Sequence, residues 1–395
     1  MAAEVLADAG CAVSVYDHMP SVGRKFLLAG RGGLNITHSE DVDRLLERYR
    51  GSSPAIARAI ERFNPTDLRA WCAGLGEPTF IGTSGRVFPK SFRATPLLRA
   101  WLQRLDDLNV SVYPRHRWLG WKAADDGHQI HQFQTVHDAV TSVHADVTIL
   151  ALGGASWPRV GSNGEWVSTV RDRSIHVLPL RPSNCGVRVE WTAGFSSRFA
   201  GQPLKNIAVS LAHTSARGDA MITTDGLEGG PVYALSADIR DAIESSGHGN
   251  IRIDLQPDLT IRQISRRLER RRPKDSLSST LRRTVGLTPT AIAVIREATE
   301  NQLPLDAIGL AELIKEVPFR IAETMGIDRA ISSAGGIASS ELTDDLMLRN
   351  APGIFAAGEM LDWEAPTGGY LLQATLSTAV LAARGAIAWT ACAAT

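Results

Sequence analysis

The sequence predicts an α/β protein in which a Rossmann-like domain, missing its first strand, is interrupted by a β-rich domain. Three observations lead there. The chain opens on MAAEVLADAG followed by CAVSVYD, a helix running into a strand, which is the second half of a strand–helix–strand unit. Two apolar runs, DVTILALGGAS and APGIFAAGEMLD, read as buried strands that end in glycines. Between them, from about Leu178, the segments CGVRVEW, KNIAVSLAH, GDAMITTDG and GNIRIDLQP are short, β-branched and separated by turns.

Each element follows from its residues. The first helix is alanine-rich, with Gly10 where a C-cap belongs. A crossover helix with no strand before it leaves the centre of a parallel sheet unfilled. After Asp17 comes a glycine-rich basic loop, SVGRKFLLAGRGGLNITH, and then helical patterns over most of Asp41 to Leu75. A helix begins near Thr95, with Thr95 and Pro96 at its start. NVSVY, RWLGWKA and HQIHQFQTV alternate as antiparallel strands do. Asp258 to about Ala311 is helical and polar, and the chain returns to the first domain through DRAISSAGGIA. PTGGYLLQATLSTAVLAARGAIAW is a glycine turn followed by a long apolar helix. Thr375 to Thr395 is the most apolar stretch, but Arg384 interrupts it and its length barely reaches the ~20 residues of a span. A buried core helix explains it better.

Composition narrows the function classes. At 395 residues, with 44% hydrophobic and 21% charged residues, the chain is a globular protein of two or three domains. Lysine plus arginine equals aspartate plus glutamate at 42 each, so no whole-molecule field draws in nucleic acid. Cys11, Cys72, Cys185 and Cys392 are scattered without a CxxC pair, which speaks against a secreted disulfide scaffold, a zinc ribbon and a redox-active dithiol. No basic n-region opens the chain, and a cytoplasmic location is expected. The ten histidines form no HxH or HExxH pair, and no metal is expected.

Three features point to a dinucleotide. Asp17 ends the second strand of the unit, where a carboxylate accepts hydrogen bonds from ribose hydroxyls; alone, an acid there is more often a solvated loop residue. GIFAAGEMLDWEAPTGGYLLQ delivers Gly358 and Glu359 at a strand's carboxyl end, and Gly368-Gly369 opens a helix whose free amides face negative charge. An ordinary strand–turn–helix is the bland alternative. Arg24, Lys25 and Arg31 stand among four glycines in a loop suited to a phosphate or an anionic substrate. His18 and His38 flank these segments, although an exposed loop histidine is the plainer role for each.

The ordered motifs GRKFLLAGRGGLNITH, SGRVFPKSFRATPLLRAWL, ILALGGASWPRVGSNGEW, TTDGLEGGPVYALS, SSAGGIA and AAGEMLDWEAPTGGYLLQATLS resemble the BaiN-like/aminoacetone-oxidase-like family of NAD(P)/FAD-dependent oxidoreductases, within the glutathione-reductase-like FAD superfamily. The similarity runs from Met1 to about Ala386. It implies an FAD-binding domain over 1–177 and 334–395, a β-barrel-like domain over 178–257 and 316–333, and a small helical insertion over 258–315. It implies FAD as cofactor, hydride transfer between flavin and a small organic molecule, and NAD(P)H or oxygen as second redox partner. Carried over by position, it places Asp17 at the adenosine ribose, Arg24 and Lys25 near the phosphate or ring, and Gly153 and Gly154 in the second nucleotide loop. Gly358 and Glu359 would meet the ribityl chain with Asp362 beside them, and Gly368, Gly369, Tyr370 and Gln373 would line the flavin ring. No catalytic base is identified.

The family opens with a strand and a GxGxxG-type loop before the helix that here begins at Met1. The expectation is therefore that upstream residues encode both, and that the chain as given binds FAD poorly and purifies colourless or aggregated. A second function class, a non-catalytic nucleic-acid binder, rests on Arg262, Arg266, Arg267, Arg270, Arg271, Arg272 and Lys274. Glu269 and Asp275 temper that run and no aromatic residue interleaves it. A solvated helix face is the better expectation, with nucleic acid and membrane both disfavoured as partners.

Overall fold

A computed structural model describes residues 1–29, 32–51, 54–123, 129–272 and 274–393. The chain divides into two compact units, Met1–Arg181 with Ile331–Thr395, and Pro182–Ala330.

In the first unit, α1 (Ala2–Asp8) stops where Gly10 turns to φ +86° and donates its N–H to the Ala7 carbonyl. That left-handed step is cheap only for glycine, and it delivers the chain to β1 (Ser14–Asp17). After α2 (Arg24–Ala29), a three-stranded antiparallel sheet forms from β2 (Thr37–His38), β3 (Thr79–Ile81) and β4 (Arg86–Pro89), with β4 in the middle. The helix Ala94–Asp107 then leads into β5 (Ser111–Pro114), which pairs parallel with β1, Asp17 opposite Pro114. Here alternation misled: NVSVY was expected to join the antiparallel strands that follow it. The crossover helix returns the chain in its original direction, so parallel pairing is the geometry available. The segments 117–123, 129–134 and 140–145 do form an antiparallel meander.

Next, β6 (Thr148–Leu150) pairs parallel with β7 (Ile354–Ala356). The parallel strands β1–β5 and β6–β7 thus stand as two separate pairs, not as one continuous sheet. The C-terminal α3 (Tyr370–Ala393) is long and apolar enough to cross a membrane, with a mean hydropathy of 1.3. Its Ala374, Leu381, Ala382 and Ala386 are nevertheless in the unit's core, beside Ile354, Phe355 and Ala356. Burial accounts for its apolar length.

The second unit holds a six-stranded antiparallel sheet in the order 187–188, 226–229, 214–223, 203–211, 249–254, 317–321. The first of these strands also bonds to the segment after the last: Arg188 N–H donates to Glu323 O and Met325 N–H to Gly186 O. The sheet thereby closes on itself and removes its open edges. The helix Gly230–Ser246 covers it, burying Val232, Leu235 and Ile239. The helices Ile261–Leu268, Pro289–Ala298 and Ala307–Lys315 share that core through Ile264, Leu268, Ile292, Val294, Leu310 and Ile314.

Candidate functional site

The expected cofactor segments meet in the first unit, and a single lysine joins three of them. Lys25, on α2, reaches Glu359 Oε2 at 2.6 Å, Ser156 Oγ at 2.7 Å and Ser162 Oγ at 3.2 Å. All three ammonium protons are used. Glu359 stands in the turn after β7, and its other oxygen accepts the Ser333 N–H at 2.8 Å. Ser333 Oγ in turn accepts the Ala155 N–H at 2.8 Å. Ser156, Ser162 and Ser333 are buried, while the Lys25 and Glu359 side chains of this charge-assisted network keep 30% and 15% exposure.

The neighbouring glycines are there for space and backbone sign. At Gly154 a Cβ would fall 2.3 Å from Ser333 Oγ and 3.2 Å from the Glu359 carboxyl carbon. Gly153 (φ +75°) accepts the Trp166 indole N–H at 2.8 Å. Gly358 (φ +79°) donates its N–H to Thr378 Oγ1 on α3 and accepts the Trp363 indole N–H.

A second cluster forms where α3 begins. Gly369 (φ +99°) lies so close to Thr37 that a Cβ would sit 2.5 Å from its backbone. Gln373 is fully buried: its carbonyl accepts from Thr37 Oγ1 at 2.6 Å and its amide donates to Phe63 O and Ser377 Oγ. Tyr370 is also buried, stacks on His38, and donates its hydroxyl to Glu40 Oε1 at 2.6 Å. Burial pushes the Glu40 carboxyl up, but hydrogen bonds from Arg48 and Tyr370 outweigh it and hold the group below the usual carboxylate range. Burial, then the Glu40 hydrogen bond, holds the Tyr370 phenol well above its ordinary value.

The remaining expected residues lie apart from these clusters. Asp17 ends β1, and its Oδ1 accepts the Met19 N–H at 2.8 Å. Beside it, His18, Arg115 and Arg117 line an open cleft of about 450 Å³. Asp362 donates its N–H to Ile337 O, and its side chain faces Gly51. Burial raises its carboxyl, with Glu364 adding to the effect and Arg181 and His176 opposing it. Arg31 lies outside the described residues. No group of three metal-ligating side chains occurs among the described residues.

Two buried polar atoms lack a partner in the basic loop itself, Arg24 Nε and Asn35 Oδ1. Unpaired buried donors and acceptors are costly, and a polar cofactor against this loop would satisfy them. Asn35 had drawn no attention in the sequence. Nor had Arg86, Phe80, Phe88 and Phe92, although TFIGTSGRVFPKSF places three phenylalanines and an arginine around one tight hairpin.

Comparison with known proteins gives the family. The model of the HI0933-like protein Rossmann domain family matches residues 1–385. The 3-dehydro-bile acid delta(4,6)-reductase of Clostridium scindens is 26% identical over 394 residues, covering 96% of this chain and 93% of its own. A ribosomal RNA dihydrouridine synthase of Haemophilus influenzae is 23% identical over 95% of this chain and 92% of its own. Among solved structures, 3-ketosteroid delta1-dehydrogenase from Sterolibacterium denitrificans matches 98% of this chain and 97% of its own, at 10% identity and a TM-score of 0.53. The last likeness is one of fold.

Proposed function

Since the chain belongs to the HI0933-like family and is an FAD-dependent oxidoreductase, we propose that it adds hydrogen across a ring C=C bond conjugated to a carbonyl. The observation that carries this reading is the Lys25–Glu359 network, which gathers the basic loop, the turn after β6 and the turn after β7 around one carboxylate. The names of the Clostridium and Haemophilus relatives both describe hydrogen addition to a ring C=C bond, in molecules of very different size.

The residues fit the cofactor. Glu359 would accept ribityl hydroxyls, Asp17 those of the ribose, and Arg24 and Asn35 offer the unpaired polar atoms. The N-terminus of α3, opened by Gly368 and Gly369, would face the ring. Bound FAD would supply the hydride for such a reduction, with NAD(P)H as the source of its electrons and oxygen as a competing acceptor. The protein's own part is to orient Glu359 through Lys25 and the Ser333 amide. A cytoplasmic location belongs to this reading, supported by free thiols at Cys11, Cys72 and Cys185 and by the burial of α3.

A second reading, in which the substrate is RNA, is favoured by one observation. Arg262, Arg266, Arg267, Arg270, Arg272 and Lys274 are exposed, and none is paired with a carboxylate among the described residues. The catalytic reading is tested by the visible spectrum of the chain titrated with FAD and by reoxidation of the bound, reduced flavin with 2-cyclohexenone. Glu359→Ala removes a charge-assisted hydrogen bond of ~1.5–3 kcal/mol and should weaken FAD by about 10- to 150-fold. Flavin affinity unchanged in a folded Glu359→Ala variant would remove Glu359 from the site.

A further inference from the structure

The antiparallel pairing of β2, β4 and β3 sorts side chains strictly by face. Phe80 is opposite Phe88, and His38 is opposite Arg86. Arg86 and Phe88 are two residues apart on β4, so all four project from one face. Thr37 and Val87 project from the other and are buried. Phe92 joins the first face from the turn after β4, with ring centroids 4.9 Å from Phe88 and 6.4 Å from Phe80. Phe80 and Phe88 are 5.7 Å apart, and the three rings are inclined to one another by only 23–34°. Phe80 and Phe92 remain 40% and 45% exposed.

This wall adjoins the candidate cofactor site at both ends. Phe92 covers the basic loop so closely that a Cβ on Gly33 would fall 2.3 Å from its ring. At the other end, a Cβ on Gly368 would be 3.9 Å from Arg86 Nε, and Arg86 has no carboxylate partner among the described residues. Phe92 holds φ +58°, a left-handed conformation that strains any residue with a Cβ. A ring is thus kept at the surface by a backbone that favours glycine.

We propose that this face binds the substrate, and that the substrate is a flat, apolar, fused-ring molecule carrying a carbonyl. The carbonyl oxygen accepts a hydrogen bond from Arg86, and the rings lie along Phe88, Phe80 and Phe92. The wall offers roughly 200 Å² of exposed ring surface, far below the ~800 Å² per partner of a stable protein interface, but comparable to one face of a four-ring molecule. Among the described residues of these three strands, Arg86 is the one lysine or arginine on this face, where a polynucleotide needs several. The proposal rests on the enone-reductase reading for its placement, and names the substrate class.

The test is equilibrium dialysis of 4-androstene-3,17-dione against the full chain and its variants. Saturable binding is expected, weakened about 3- to 12-fold by Phe80→Ala and by Phe92→Gly, the value of an aromatic contact. Arg86→Gln should weaken it to a similar degree. Phe92→Gly relieves the positive φ, so it should lose ligand without losing thermal stability, which separates binding from folding. Affinities equal to wild type in all three variants overturn the proposal. So does a dimer that Phe80→Ala dissolves while the dione fails to bind, since the face is then a self-interface. Ring-dependent dione binding without reoxidation of reduced flavin by 2-cyclohexenone supports the wall and sinks the reductase reading; reoxidation by 2-cyclohexenone with ring-independent dione binding does the reverse.

Discussion

At the scale of single residues, the strongest constraints are steric and protonic. Gly369 combines φ +99° with a Cβ position 2.5 Å from the Thr37 backbone, whereas Gly10 has φ +86° and open space around it. Gly10→Ala should therefore cost only the backbone strain, ~1 kcal/mol. Gly369→Ala adds a collision with immobile backbone and should cost ~3 kcal/mol or more. Denaturant melts of the two variants give the comparison, and equal losses would remove the steric argument. His131 is buried, accepts the Trp118 indole N–H at Nδ1 and contacts Thr148 Oγ1 through Nε2. Burial lowers its pKa from 6.5 to about 4. The unfolded chain thus binds a proton through a range where the folded one does not. Its contribution to stability is whole above pH 6.5 and is lost progressively as pH falls from 6.5 towards 4. The gap corresponds to ~3 kcal/mol. Thermal melts at pH 7 and 4.5 should show a larger acid loss for wild type than for His131→Gln. The histidine pattern had shown only that no metal motif was present; burial of His131 depends on how the 117–145 meander packs, which puts Trp118 and Thr148 against its ring.

At the scale of elements, the basic helix Ile261–Leu268 shows how one amphipathic period serves packing first. Ile264 and Leu268 are buried, while Arg262, Arg266 and Arg267 are exposed. Its apolar stripe packs into the second unit's core, and Ile261 is its one exposed apolar residue, too little to hold a lipid surface. The cations extend through Arg270, Arg271 and Arg272 in the following turn, where Arg271 donates to the Asp275 carbonyl. As an exposed, solvated face, these residues contribute little to folding. Changing Arg266, Arg267, Arg270, Arg271 and Arg272 to glutamine should leave flavin content and melting temperature unchanged. RNA retention by the native protein should be weak and should vanish with modest salt. Tight, sequence-selective retention at physiological salt, lost in the five-fold variant, would instead favour the RNA reading. The hairpin β3–β4 teaches the opposite lesson. Alternation in TFIGTSGRVFPKSF does not reveal that Phe92 turns back onto Phe80 and Phe88, because that depends on a positive φ outside the strands.

At the scale of the molecule, Pro182–Ala330 has its own closed sheet and its own buried cluster. Expressed alone, it should unfold in one cooperative transition; a broad, non-cooperative melt would show that its core is incomplete. Local sequence already determined a good deal. Gly10 as a helix stop, the apolar strands β6 and β7, the long helix after Gly368-Gly369 and the change to β-branched segments near Leu178 all follow from short-range rules of backbone conformation and periodicity. The motif order determined the family and the cofactor. Tertiary structure alone decided the partners. Lys25 and Glu359 are 334 positions apart and Thr37 and Gln373 are 336 apart, so nothing in either neighbourhood announces the bond. It also decided that β5 runs parallel to β1, that the parallel strands stand in two pairs, and that Arg86 shares a face with three phenylalanines. Hydrogen bonds and ring contacts are short-ranged in space, and chain crossovers bring residues together without regard to their separation in sequence.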